Sequence, residues 1–170
     1  MRTVGAGLVM LSCGAMGLVV AASFRQRVHN LRQLVAFFQA LESEISYARS
    51  TLPEVISRQK GQYTGVVGLF LAVLERAMLD GTGESFAEIW TSGLNVLAVN
   101  GLPSWLLGEL RQVGKSLGQS DAAEQLKHLS VLQKRLEEAM VEARQEEEKQ
   151  TRLWSYLGVF SGLILVLLLF

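Results

Sequence analysis

Apolar positions recur every three or four residues through most of this chain, and stretches alternating with a period of two are almost absent. In VHNLRQLVAFFQALESEISYARS the stripe is Val28, Leu31, Val35, Phe38, Leu41 and Ile45, one face of a first helix that continues from the apolar run before it. Thr51-Leu52-Pro53-Glu54 has the form of a capping box with proline in the first turn, and opens a short second helix ending near Gly61. A third helix is predicted from about Tyr63 to Leu79, with Val66, Val67, Phe70, Val73, Leu74, Ala77 and Met78 on its apolar side. DGTGES is a turn. The fourth helix starts near Ser85 and carries Phe86, Ile89, Trp90, Leu94 and Leu97. After the turn NGLPS, a fifth runs from about Ser104 to Leu117, with Leu106, Leu107, Leu110, Val113 and Leu117 inward. Gly118 suits the left-handed position past its end. Ser120 or Asp121 caps a sixth helix bearing Leu126, Leu129, Leu136, Met140 and Ala143. The sum is a compact helical bundle.

The flanks of the bundle break this amphipathic pattern. From Thr3 to Phe24 and again from Leu153 to Phe170 there is no charged residue. The second run, as helix, is about 27 Å long, close to the roughly 30 Å hydrocarbon core of a bilayer. Trp154 and Tyr156 stand at its edge, where amphipathic rings favour the headgroup level. A buried terminal helix of a soluble domain is the alternative. For the first run the competing reading is a cleaved leader, with Arg2 as its basic start and Val20-Ala21-Ala22 as the cleavage site. Arg25, Arg27 and Arg32, directly after the run, argue against translocation of the bundle. Since Lys and Arg stay cytoplasmic, these arginines put the C-terminal side of the first span in the cytoplasm. Lys149 and Arg152 put the N-terminal side of the second span there too. The two assignments agree on two spans with a cytoplasmic domain between them. No helix breaker precedes the second run, so the sixth helix is expected to enter it unbroken. RQEEEKQTR has no apolar face and reads as a solvated neck, with Glu146, Glu147 and Glu148 facing solvent.

Charge and chemistry narrow the function further. Sixteen Lys and Arg balance sixteen Asp and Glu, without the basic excess of a nucleic-acid binder. A lone cysteine, Cys13, rules out an intramolecular disulfide and a cysteine-based zinc site. His29 and His128 lie far apart with no ligand-like companions. GELRQVGKS approximates the phosphate-binding pattern G-x-x-x-x-G-K-[ST]. Its spacing is one residue too long between Gly108 and Gly114, and a helical stripe, not a strand, runs through it. Lys115 is more simply a last-turn cation. Glu42 and Glu44 are two apart and do not share a helix face. No nucleophile elbow or paired-histidine motif is present. The expectation is no enzyme, no cofactor, no metal, no nucleic acid and no small-molecule substrate. Packing motifs are better represented. Gly158 and Gly162 form a G-x-x-x-G face, and Cys13, Gly17 and Ala21 repeat every four residues, as in membrane helices that approach closely. They suit pairing of the two legs with each other or with partner subunits.

LESEISYARSTLPEVI, LGQSDAAEQLKHL and LWSYLGVFSGLILVLLL, in this order, resemble the stage III sporulation protein AB family of endospore-forming bacteria. The resemblance covers essentially the whole chain. Its most specific stretch is Leu117 to Asp121, continuing to Gln125, Lys127, His128 and Leu129. It implies an all-α fold, a six-helix bundle like the cytoplasmic domain of type II secretion F platform proteins, flanked by two transmembrane helices. It also implies a channel or feeding-tube complex between mother cell and forespore. Partners would be a secretion-type ATPase, other channel subunits, membrane lipid and, in a homo-oligomer, further copies of the chain. The expected division is a membrane helix over 1–25, a cytoplasmic bundle over 26–152 and a second membrane helix over 153–170. The bundle would face the mother-cell cytoplasm and both termini the space between the membranes. Asp121, Gln125, Lys127 and His128 form a polar region at the start of the sixth helix that would meet a partner, be solvated, or bond to the neighbouring helix. A membrane-tethered adaptor or regulator of sporulation, outside any transport apparatus, is the alternative function.

Overall fold

The computed structural model describes residues 2–48, 51–81, 83–119 and 121–169, with side chains outside 1–19, 48–50, 82, 118–120, 122, 155, 158–159 and 161–170. Its regular elements are all helical: α1 (Arg2–Ser43), a π turn (Glu44–Ala48), α2 (Leu52–Gln59), a 3-10 turn (Lys60–Gln62), α3 (Gly65–Leu79), α4 (Phe86–Val99), α5 (Ser104–Gln119) and α6 (Ala122–Leu169). Among the described residues, no helix is long and apolar enough to cross a membrane. The runs 3–24 and 153–170 lie largely outside the described side chains.

The chain forms two compact units, 29–140 and the pair of segments 1–28 and 141–170. In the first, local chemistry sets the helix starts. The Thr51 amide donates to Glu54 Oε2 at 3.1 Å. The Ser85 amide donates to Glu88 Oε2 at 2.8 Å, and the Glu88 amide points back at Ser85 Oγ. Each is a reciprocal cap that satisfies donors the helix cannot. At the start of α6 the cap is Asp121, whose Oδ1 accepts from the Glu124 amide at 2.9 Å. The α4–α5 turn is a Schellman motif. Gly101 has φ +85°, its amide reaches Ala98 O, and the Leu102 amide reaches Leu97 O. Gly118 does not end α5 as expected. It lies within the helix, which runs on to Gln119.

The core takes in most of each predicted stripe and widens it, while Val66, Val73, Ala77, Met78, Phe86, Leu107, Leu126 and Met140 are only half-buried. Leu31, Phe38, Leu41, Val67, Phe70, Leu74, Trp90, Leu94, Leu106, Leu110, Leu129 and Leu136 are all buried. So are Leu34 and Phe37 on α1, Leu71 on α3 and Leu132 on α6, which a single stripe leaves out. A helix packed against more than one neighbour buries adjacent stripes, and one periodicity shows only one of them. Ile45 is half-buried, because the π turn carries it off the line of α1.

In the second unit α1 and α6 run antiparallel. Arg25 Nε lies 3.4 Å from Glu147 Oε1, and Arg27 Nη1 lies 2.8 Å from Glu146 Oε2. The acidic run therefore does not simply face solvent: Glu146 and Glu147 close ion pairs across the helices. Local sequence missed this because the partners are more than a hundred residues away in the chain.

Candidate functional site

Trp90 organises the bundle. Its ring is fully buried and packs edge-on to Phe70 at 5.3 Å and to Phe38 at 6.2 Å between centroids, the geometry aromatic quadrupoles favour. Its Nε1 donates to the backbone carbonyl of Leu110 at 2.8 Å. Four residues on, Gly114 leaves the space the indole fills; a Cβ there would overlap the ring. Gly93 plays a similar part toward α3, where a Cβ would come within 2.7 Å of Leu74 Cδ2. The GELRQVGKS stretch thus has a structural account. Its Gly114 seats a tryptophan, its Lys115 points to solvent, and the segment is helix throughout.

Polar side chains tie helices together around this core. Gln33 Oε1 on α1 accepts from the Thr64 amide at 2.9 Å, at the head of α3. Its amide group also meets His29. Glu75 on α3 accepts from Ser57 Oγ at 2.7 Å and pairs with Lys60. These two bonds, Lys60 first, hold its carboxyl below the usual value of 4.5. The two carboxylates on either side of the end of α1 serve different elements: Glu42 accepts from Gln133 of α6 at 2.8 Å, and Glu44 pairs with Arg58 of α2 at 3.0 Å.

The four residues singled out lie at the cap and in the first two turns of α6, with distinct local roles. Asp121 is the helix cap. Gln125 Nε2 reaches back to the carbonyl of Leu117 at 3.2 Å and closes the α5–α6 hairpin. His128 Nε2 lies 3.9 Å from Glu124 Oε1. Lys127 is exposed. Of the small residues expected to pack membrane helices, Ala21 is half-buried, and the side-chain positions of Cys13, Gly17, Gly158 and Gly162 lie outside the described residues.

Caps, hairpin bonds and an aromatic core are the features of an all-helical scaffold. The chain belongs to the stage III sporulation protein AB family, whose model matches residues 2–170. It is 30% identical over 173 residues to stage III sporulation protein AB of Bacillus subtilis (strain 168), covering 99% of each protein. A solved structure of stage III sporulation protein AB superposes with a TM-score of 0.66 at 26% identity, and 73% of this chain covers 98% of that one. These relatives are named for sporulation and carry no enzyme's name.

Proposed function

We propose that the chain is a non-enzymatic membrane platform acting in sporulation. Its bundle stands in the mother-cell cytoplasm, held by two membrane legs, and couples a secretion-type ATPase to channel subunits across the membrane that faces the forespore. The observation that carries this reading is the collar formed by Arg25, Arg27, Glu146 and Glu147. There α1 and α6 run antiparallel, so the charge-free runs 3–24 and 153–169 continue from the same level on the same side. Two legs require that arrangement. Arg25, Arg27, Arg32, Lys149 and Arg152 support the orientation, because basic residues flanking a span are retained in the cytoplasm.

Reporter fusions test the topology. Fusions at the two termini should give extracytoplasmic signals, and one in the turn at Gly81 a cytoplasmic signal. A cytoplasmic readout at either end overturns the two-leg arrangement, and a mature N-terminus at Ser23 favours a cleaved leader. Coupling is tested by pull-down of the ATPase with the full-length protein. Lys127→Glu with His128→Ala alters the outer part of the α6 face and leaves the Asp121 cap and Gln125 bond in place. The folded double variant should bind more weakly. Undiminished binding shows that the face is wrong, and no association of the wild-type pair removes the coupling mechanism.

A further inference from the structure

Leu106, Leu110, Val113, Gly114 and Leu117 share one side of α5, and all are buried. At about 100° per residue, Gly108 is diametrically opposite their centre. It is exposed, with nothing within 4 Å of where a Cβ would stand. Trp105, Arg111, Gln112 and Lys115 flank it within about 60° on either side. All four are exposed, and Trp105 shows 48% of its surface.

Three features of this face bear on what it meets. Glycine in an exposed helix interior costs about 1 kcal/mol relative to alanine. At Gly93 and Gly114 a neighbouring side chain occupies the space that the missing Cβ leaves; at Gly108 no group among the described residues does. Trp105, in the first turn of α5, stands outward beside that notch. Arg111 and Lys115 pair with no carboxylate among the described residues, which leaves both cations open to one from outside. Tryptophan and arginine around a small residue is the composition of a binding centre rather than of a solvated face.

We propose that this face of α5 docks an acidic helix of a second protein. A ridge of the incoming helix lies in the notch at Gly108, where the absent side chain allows close approach. An apolar residue packs on Trp105, and Asp or Glu side chains meet Arg111 and Lys115. Charge favours this occupant over a second copy of the chain. A parallel two-fold contact through Gly108 sets Arg111 on Arg111 and Lys115 on Lys115. An antiparallel one sets Lys115 opposite Gly101, and in neither sense does a carboxylate of the second α5 stand opposite both cations. The surface is separate from the α6 face above, and the proposal does not depend on the membrane reading.

The test uses the full-length protein in sporulating cells, with a benzophenone amino acid at Gln112 and a control at Ser92, exposed on α4. Irradiation should give a Gln112 adduct whose cross-linked peptide is an acidic helix of another protein, with no such adduct at Ser92. Gly108→Leu fills the notch while removing a poor helix former, so it should melt no lower than wild type. It should reduce the adduct at least tenfold and spore titre by a similar factor at unchanged protein level. Arg111→Glu with Lys115→Glu should behave alike, whereas Arg111→Lys with Lys115→Arg should retain the adduct. An adduct that survives Gly108→Leu, one formed with a second copy or with a basic peptide, or none at Gln112 overturns the proposal. So does wild-type sporulation of Gly108→Leu.

Discussion

Trp90 and Gly114 are a complementary pair: one residue has the largest buried side chain, the other has none, and the first occupies what the second leaves open. Gly114→Ala should therefore cost about 1–3 kcal/mol, the usual range for overpacking a filled core. Thermal melting would read the loss, and a change in tryptophan emission would show the indole displaced from Leu110 O. Lys115, next in sequence, should behave oppositely. Lys115→Ala alone is expected to change stability by less than about 0.5 kcal/mol, as surface substitutions usually do. Saturable ATP binding by the wild type, lost in Lys115→Ala, would show that the stretch binds phosphate after all. The sequence placed Gly114 and Lys115 on a helix, where the structure also has them. It could not show what Gly114 was for, because Trp90 reaches it from another helix.

Among the elements, the helix starts were legible and one helix end was not. Thr51, Ser85 and Asp121 cap through groups at most three residues away, so the signal is local. Gly118 satisfied the same kind of rule, yet α5 continues through it. A glycine permits a left-handed stop but does not impose one. Gly101 does adopt that conformation, and Gly101→Ala should cost about 1–2 kcal/mol, measured by denaturant unfolding. The caps also predict an acid limb. The Ser85 hydroxyl, and then its amide, hold the Glu88 carboxyl below 4.5, and Glu75 is lowered by Lys60 and Ser57. Both folded values lie below the unfolded one. Their contribution is therefore complete above about pH 5 and lost as pH falls through the folded values. The melting temperature should drop below that pH, and Glu88→Gln should flatten part of the drop. At the other extreme, burial raises the Tyr63 hydroxyl above 10.0. The unfolded tyrosine then ionises first, and stability falls as pH rises past 10.

At the scale of the molecule, the collar joins residues from opposite ends of the chain. Arg25 is largely exposed, so each ion pair there should contribute below about 1 kcal/mol and weaken with salt. Arg25→Glu should speed amide exchange around residues 25 and 147 in the detergent-solubilised protein. Adding Glu147→Arg should restore protection. If the double variant stays as open as the single one, the collar is not held by that pair.

The sequence alone determined the helical class, the number and approximate limits of the bundle helices, and most of the buried face of each. It also carried the family resemblance. All of these rest on signals within a few turns of one helix: periodicity, caps and turn residues. Tertiary structure decided the rest. Only packing showed that Leu34, Phe37, Leu71 and Leu132 are core, that Gln125 closes a hairpin, and that Glu146 and Glu147 pair with arginines across the helices. It also separated Gly114, which seats an indole, from Gly108, which meets nothing among the described residues. The physical reason is common to all of them. A helix's own period fixes which residues share a side, but what stands opposite that side is set by segments distant in sequence, and only the assembled fold brings them within contact.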